Sequence, residues 1–182
     1  MSNEKYVIRA GQTAHDEYAL DLSPETAGWE WSSLRVVALE AGASVEIPGG
    51  EAEFLVLPLQ GGCTVEVQGQ TFDLAGRESV FTDITDYIYI PRDTDIRLSS
   101  KEGGRFSLPG AKATKDLPER YCPREDVQVG LRGAGPSSRQ VNNYALGMLD
   151  MGFAETLAIA FALGVALCAC ATQVARLFQN KR

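Results

Sequence analysis

Residues 54–74 read FLVLPLQGGCTVEVQGQTFDL, and this stretch decides the fold class. Val65 and Val67 alternate with Thr64 and Glu66, and Phe72 and Leu74 share a face on the return. That period of two belongs to half-buried β-strands. Between the two runs, Gln68-Gly69 forms a two-residue turn in which glycine takes the positive φ that a tight hairpin requires. Upstream, Phe54–Leu59 is an unbroken apolar run of strand length, and Gly61-Gly62 after it reads as a turn into the hairpin.

The same pattern extends in both directions. Leu34–Leu39, Tyr87–Ile90, Ile96–Ser99 and Gly104–Leu108 are short segments rich in β-branched or aromatic residues. Pro48-Gly49-Gly50, Pro91-Arg92-Asp93 and Gly103-Gly104 punctuate the gaps. Many short strands at this spacing predict an all-β sandwich or barrel. Ser23-Pro24 opens one helical turn, with Ser23 as cap and Pro24 at the first position. Residues 112–135, rich in charge and interrupted by Pro118 and Pro123, read as a long surface connection holding one strand, Val127–Leu131. Of Trp29 and Trp31, one is expected in the core.

The composition narrows the function classes. The chain has 182 residues, 17 basic and 24 acidic, for a formal charge of −7. Phosphate neutralisation needs clustered Lys and Arg, which this chain concentrates nowhere, so no nucleic-acid partner is expected. A single histidine, His15, excludes a multi-histidine metal centre, and its polar surroundings (GQTAHDE, residues 11–17) place it on a solvated surface. The first residues lack an apolar signal core, so the body is expected in the cytoplasm. Cys63, Cys122, Cys168 and Cys170 show no disulfide framework.

Two resemblances emerge from longer stretches. Residues 42–62 (GASVEIPGGEAEFLVLPLQGG) and 76–99 (GRESVFTDITDYIYIPRDTDIRLS) resemble the two motifs of cupins, small jelly-roll β-barrels. Where a metal-binding cupin carries its histidine pair, this chain has VEIPGG at 45–50, which leaves Glu53 alone of the ligand set. More specifically, SPETAGWEW (23–31), LRVV (34–37), GRESVFTDITD (76–86) and above all LRGAGPSSRQVNNY (131–144) resemble the 5-deoxyglucuronate isomerase family of myo-inositol catabolism.

That resemblance implies a two-barrel protein that isomerises 5-deoxy-D-glucuronate, an aldose, to the ketose 5-dehydro-2-deoxy-D-gluconate. A base moves a proton beside the carbonyl and a divalent metal stabilises the enediolate. In the family the metal belongs to the second barrel, after SRQVNN. Residues 1–144 therefore correspond to the first, metal-free barrel. No cofactor and no metal ligand are assigned to this chain, and its catalytic residues stay unassigned. The implied small-molecule partner is a sugar acid. Arg139, Gln140, Asn142 and Asn143 carry two readings: amides and a guanidinium satisfying backbone groups at a domain junction, or contacts to substrate, where the planar fork of Arg139 suits a carboxylate.

Residues 145–182 are different material. Thr156–Ala175 (TLAIAFALGVALCACATQVA) is twenty residues without a formal charge. It reads as a weak membrane span with a cytoplasmic C-terminus, as a packing helix with Leu157, Phe161, Gly164, Leu167 and Cys168 on one face, or as the product of a disrupted reading frame. The expected whole is a cupin-like jelly-roll barrel or sandwich with a C-terminal α-helical tail, weakly active or inactive alone. The alternative is a non-catalytic cupin module that binds a sugar acid or a protein, tethered to a membrane or assembled into a homo-oligomer through the barrel or the tail.

Overall fold

A computed structural model describes residues 7–145. The described chain divides into two compact units after Val127. The first contains nine strands: β1 (Tyr18–Leu22), β2 (Ser32–Leu39), β3 (Ser44–Ile47), β4 (Ala52–Val67), β5 (Gln70–Arg77), β6 (Tyr87–Ile90), β7 (Ile96–Ser99), β8 (Gly104–Lys112) and β9 (Arg120–Cys122). One helical turn, α1 (Pro24–Ala27), follows β1. As the sequence predicts, the Ser23 side chain accepts from the Thr26 amide and Pro24 occupies the first turn.

Every pairing in this unit is antiparallel. One sheet runs β1-β2-β8-β4-β6-β9 and a second layer runs β3-β7-β4-β5. β4 belongs to both layers: residues 52–60 pair with β8 and β6, and residues 61–67 with β5 and β7. Val37, Phe54, Ile88 and Leu108 from the first layer meet Ile47, Val65 and Leu98 from the second in one apolar cluster. Phe106 is fully buried there, and truncating it to alanine is worth about 3–5 kcal/mol.

The expected hairpin is present, with Cys63 opposite Leu74, Val65 opposite Phe72 and Val67 opposite Gln70. Gln68 and Gly69 both hold positive φ, +48° and +79°, so the turn has the twist that antiparallel strands favour. The preceding turn, however, does not exist. Gly61-Gly62 lies inside a single 16-residue strand and bends it from one layer into the other. Glycine marks bulges and corners as well as turns, and a short-range reading does not distinguish them. Gly76 shows why the corner needs it: a Cβ there would lie 2.0 Å from the Gly61 carbonyl oxygen.

Other departures follow from long-range pairing. β1 (YALDL) and β3 (SVEI) are short segments that lie outside the strands expected from sequence, and β2 and β7 pair alongside them. Residues 112–135 contain β9, which pairs with β6, in addition to the expected strand. Neither tryptophan is core: Trp29 is 47% and Trp31 54% exposed.

The second unit contains β10 (Gln128–Arg132) and β11 (Arg139–Asn143), an antiparallel pair with Gln128 opposite Asn143 and Arg132 opposite Arg139. The expected helical tail lies outside the described residues. Among those described, no helix is long and apolar enough to cross a membrane.

Candidate functional site

Strand alternation decides what Glu53 can do. Phe54 and Val56 belong to the core cluster, so Glu53, Leu55 and Leu57 face the other side of the sheet. Leu55 lies opposite Tyr89, and the Tyr89 hydroxyl donates to Glu53 Oε2 at 2.7 Å. Glu53 is 4% exposed, and a buried carboxylate with such a donor is a satisfied structural group. No three His, Cys, Asp or Glu side chains converge in a metal-ligating group among the described residues. A transition metal takes three or four N, O or S ligands, so the donor set around Glu53 does not fit one. The inner face carries Val37, Val65, Ile88, Leu98 and Phe106, all fully buried hydrocarbon.

The motif at 76–86 resolves into a buried carboxylate that ties a loop to the sheet. Asp86 accepts from the Ala75 amide at 2.8 Å, the Gly76 amide at 2.9 Å, the Thr85 hydroxyl at 3.1 Å and the Tyr121 hydroxyl at 3.0 Å. Beside it, buried Arg77 donates to the carbonyls of Pro58 and Asp83, while Arg124 donates to the Asp83 carboxylate and the Gly76 carbonyl. Burial first, and then the bond to Asp86, push the Tyr121 phenol up to about 12. These groups hold one another.

The two thiols among the described residues are equally quiet. Burial pushes Cys63 up to about 12 and Cys122 up to about 11, so both are neutral packing residues. His15 is exposed, as its sequence context predicts. Its Nε2 lies 3.0 Å from Asp21 Oδ2 and its Nδ1 3.4 Å from Asp16 Oδ2, and these bonds, Asp21 first, raise its pKa above 6.5.

The four candidate residues all lie on β11, a strand absent from the sequence reading. Alternation separates them: Arg139 and Asn143 on one face, Gln140 and Asn142 on the other. Asn143 Nδ2 donates to the Gln128 carbonyl at 3.1 Å, Gln140 Nε2 to Asn142 Oδ1 at 2.9 Å, and Arg139 to the Ser137 carbonyl at 3.5 Å. Leu131, opposite Gln140, is 84% exposed.

A residue that the sequence reading passed over stands out in the first unit. The Arg35 guanidinium carbon sits 5.1 Å from the Phe54 ring centroid, at the edge of the core. Only tertiary pairing reveals it, since nothing in LRVV marks this arginine.

The profile of the KduI/IolB family matches residues 6–152. The chain belongs to the KduI/IolB family. A 5-deoxy-glucuronate isomerase of Geobacillus thermodenitrificans is 24% identical over 141 residues, 76% of this chain and 52% of that protein. One from Halalkalibacterium halodurans is 29% identical over 125 residues, 68% of this chain and 46% of that protein. The crystal structure of an IolB-like protein from Salmonella typhimurium superposes with a TM-score of 0.68 at 28% identity, covering 72% of this chain and 51% of that one. The chain thus spans about half the length of the relatives it matches.

Proposed function

We propose that this chain is the first, non-metal cupin barrel of a 5-deoxy-glucuronate isomerase-type protein, and that by itself it does not carry the isomerisation. On this reading residues 1–144 are the family body and residues 145–182 a tail of different composition. The observation that carries the reading is the chemistry of the barrel within the family match: buried hydrocarbon fills the centre of the inner face, and Glu53 turns to the other side of the sheet onto Tyr89. An aldose–ketose isomerase needs a base beside the carbonyl and a positive group on the developing enediolate. By the family resemblance, the metal that would serve as the positive group belongs to the second barrel.

The test is turnover. The purified chain is incubated with 5-deoxy-D-glucuronate, with and without added divalent metals, and the aldose signals are followed by NMR. The expected result is no isomerisation above buffer in either condition. Sustained metal-dependent conversion by this chain alone overturns the assignment of the chemistry to the other half.

A second reading, a non-catalytic module for a sugar acid or a protein partner, draws on the β10–β11 hairpin, where Gln140 and Asn142 lie opposite exposed Leu131 and Val129 on one face and Arg139 lies opposite Arg132 on the other. Calorimetry with uronates, repeated on Arg139→Ala, tests it. Heat that is lost in the variant supports the reading, and equal heat removes Arg139 from it.

A further inference from the structure

We propose that the edge of the sandwich along β2 is an anion site, in which Arg35 takes the carboxylate of a sugar acid and Ser33 one of its hydroxyls. Alternation along β2 puts Ser33 and Arg35 on the core-facing side with Val37. Across the β2–β8 ladder, Arg35 lies opposite Leu108 and Ser33 opposite Gly110, and Phe54 lies opposite Gly110 on the other flank. Ser33 and Phe54 therefore flank one backbone position that carries no side chain, and Arg35 stands two residues along the same face of β2. A Cβ at Gly110 would lie 2.8 Å from Ser33 Oγ and 3.3 Å from Phe54 Cβ, so glycine is what lets them close in.

Arg35 is half-buried and rests on Phe54, yet among the described residues no acceptor takes a hydrogen bond from its guanidinium. Ser33 Oγ is in the same state. The carboxylate best placed to neutralise Arg35 is Asp21, its register partner across β1–β2, but Asp21 Oδ2 is engaged by His15 at 3.0 Å and makes no ion pair with Arg35. Every buried side-chain nitrogen and oxygen among the described residues has a partner, so these unbonded N–H groups are open to solvent and to a solute. The ring holds the guanidinium carbon 5.1 Å from its centroid, and a planar guanidinium fork is the group that takes a carboxylate through two parallel bonds. Exposed Trp31, whose carbonyl accepts from the Lys112 amide at the end of the same ladder, adds an apolar face of the kind a sugar ring covers.

The anion site rests on Arg35 and Ser33. The choice of a sugar acid among small carboxylates rests on the family reading above. The experiment uses the full chain, D-glucuronate as probe and D-glucose as the neutral control, with tryptophan fluorescence and calorimetry as readouts. Expected are saturable binding of glucuronate, none of glucose, at least tenfold weaker glucuronate binding in Arg35→Gln, about threefold weaker in the milder Ser33→Ala, and no change in Arg97→Gln on the opposite layer. Glucuronate binding that is equal in wild type, Arg35→Gln and Ser33→Ala overturns the site and leaves the family reading standing. Absence of glucuronate binding to the folded wild-type chain also overturns it, and the turnover test then decides the family reading separately.

Discussion

Replacing Asp86 with alanine removes the acceptor for four donors at once, and the structure sets the size of the loss. The Ala75 and Gly76 amides have short bonds to the two carboxylate oxygens, 2.8 and 2.9 Å, and Asp86 itself is 2% exposed. The Gly76 amide is buried and the Ala75 amide partly so, and a buried amide left without an acceptor costs about 1–3 kcal/mol. The other two donors contribute less. The Thr85 hydroxyl keeps the Asp86 carbonyl at 3.0 Å as an alternative, and Tyr121 is exposed enough for water to replace its partner. The expected cost of Asp86→Ala is therefore about 3–5 kcal/mol, or a fall in thermal midpoint of about 9–15 °C at roughly 3 °C per kcal/mol. Asp86→Asn keeps one oxygen but turns an NH2 toward an amide donor, and should lose about 2 kcal/mol or more. Tyr121→Phe should lose about 1 kcal/mol. Urea unfolding at unchanged m-value measures all three. If Asp86→Ala lies within 1 kcal/mol of wild type, or if Tyr121→Phe costs as much as Asp86→Asn, the carboxylate is not the tie that holds the 76–86 loop.

Two further predictions follow from single residues. Gly76→Ala, which places a Cβ 2.0 Å from a carbonyl oxygen at φ +68°, should cost about 3 kcal/mol or more, whereas Gly69→Ala, with open space around it, should cost about 1 kcal/mol from its φ alone. Equal losses in chemical denaturation would remove the steric argument for the β4 corner. His15 should titrate above 6.5 by NMR, where the single histidine makes assignment direct, and Asp21→Asn should bring it back toward 6.5. Because the folded state holds that proton more tightly, its contribution is complete below pH 6.5 and fades as pH rises through the folded pKa. A titration that Asp21→Asn leaves unmoved would refute the assignment of the cause.

What the sequence determined by itself was local chemistry and family membership. Period-two alternation with a Gln-Gly turn specifies the hairpin at 63–74 without outside help, because turn geometry and the buried face enforce one register. Ser23-Pro24 caps its helical turn for equally local reasons. The run ending in SRQVNNY was specific enough to point to the family that the profile matches. Tertiary structure alone decided the rest. Gly61-Gly62 is a corner rather than a turn because β5 and β8 close against it from outside the local window. Glu53 was the one carboxylate left in the cupin ligand position, and strand parity turned it away from the core onto Tyr89. Arg35 looked like any arginine in a strand until pairing set it over Phe54 and His15 engaged the neighbouring Asp21. Short-range patterns carry the period of a strand, but which face is inside, and which charge is left unpaired there, depends on strands far apart in the chain.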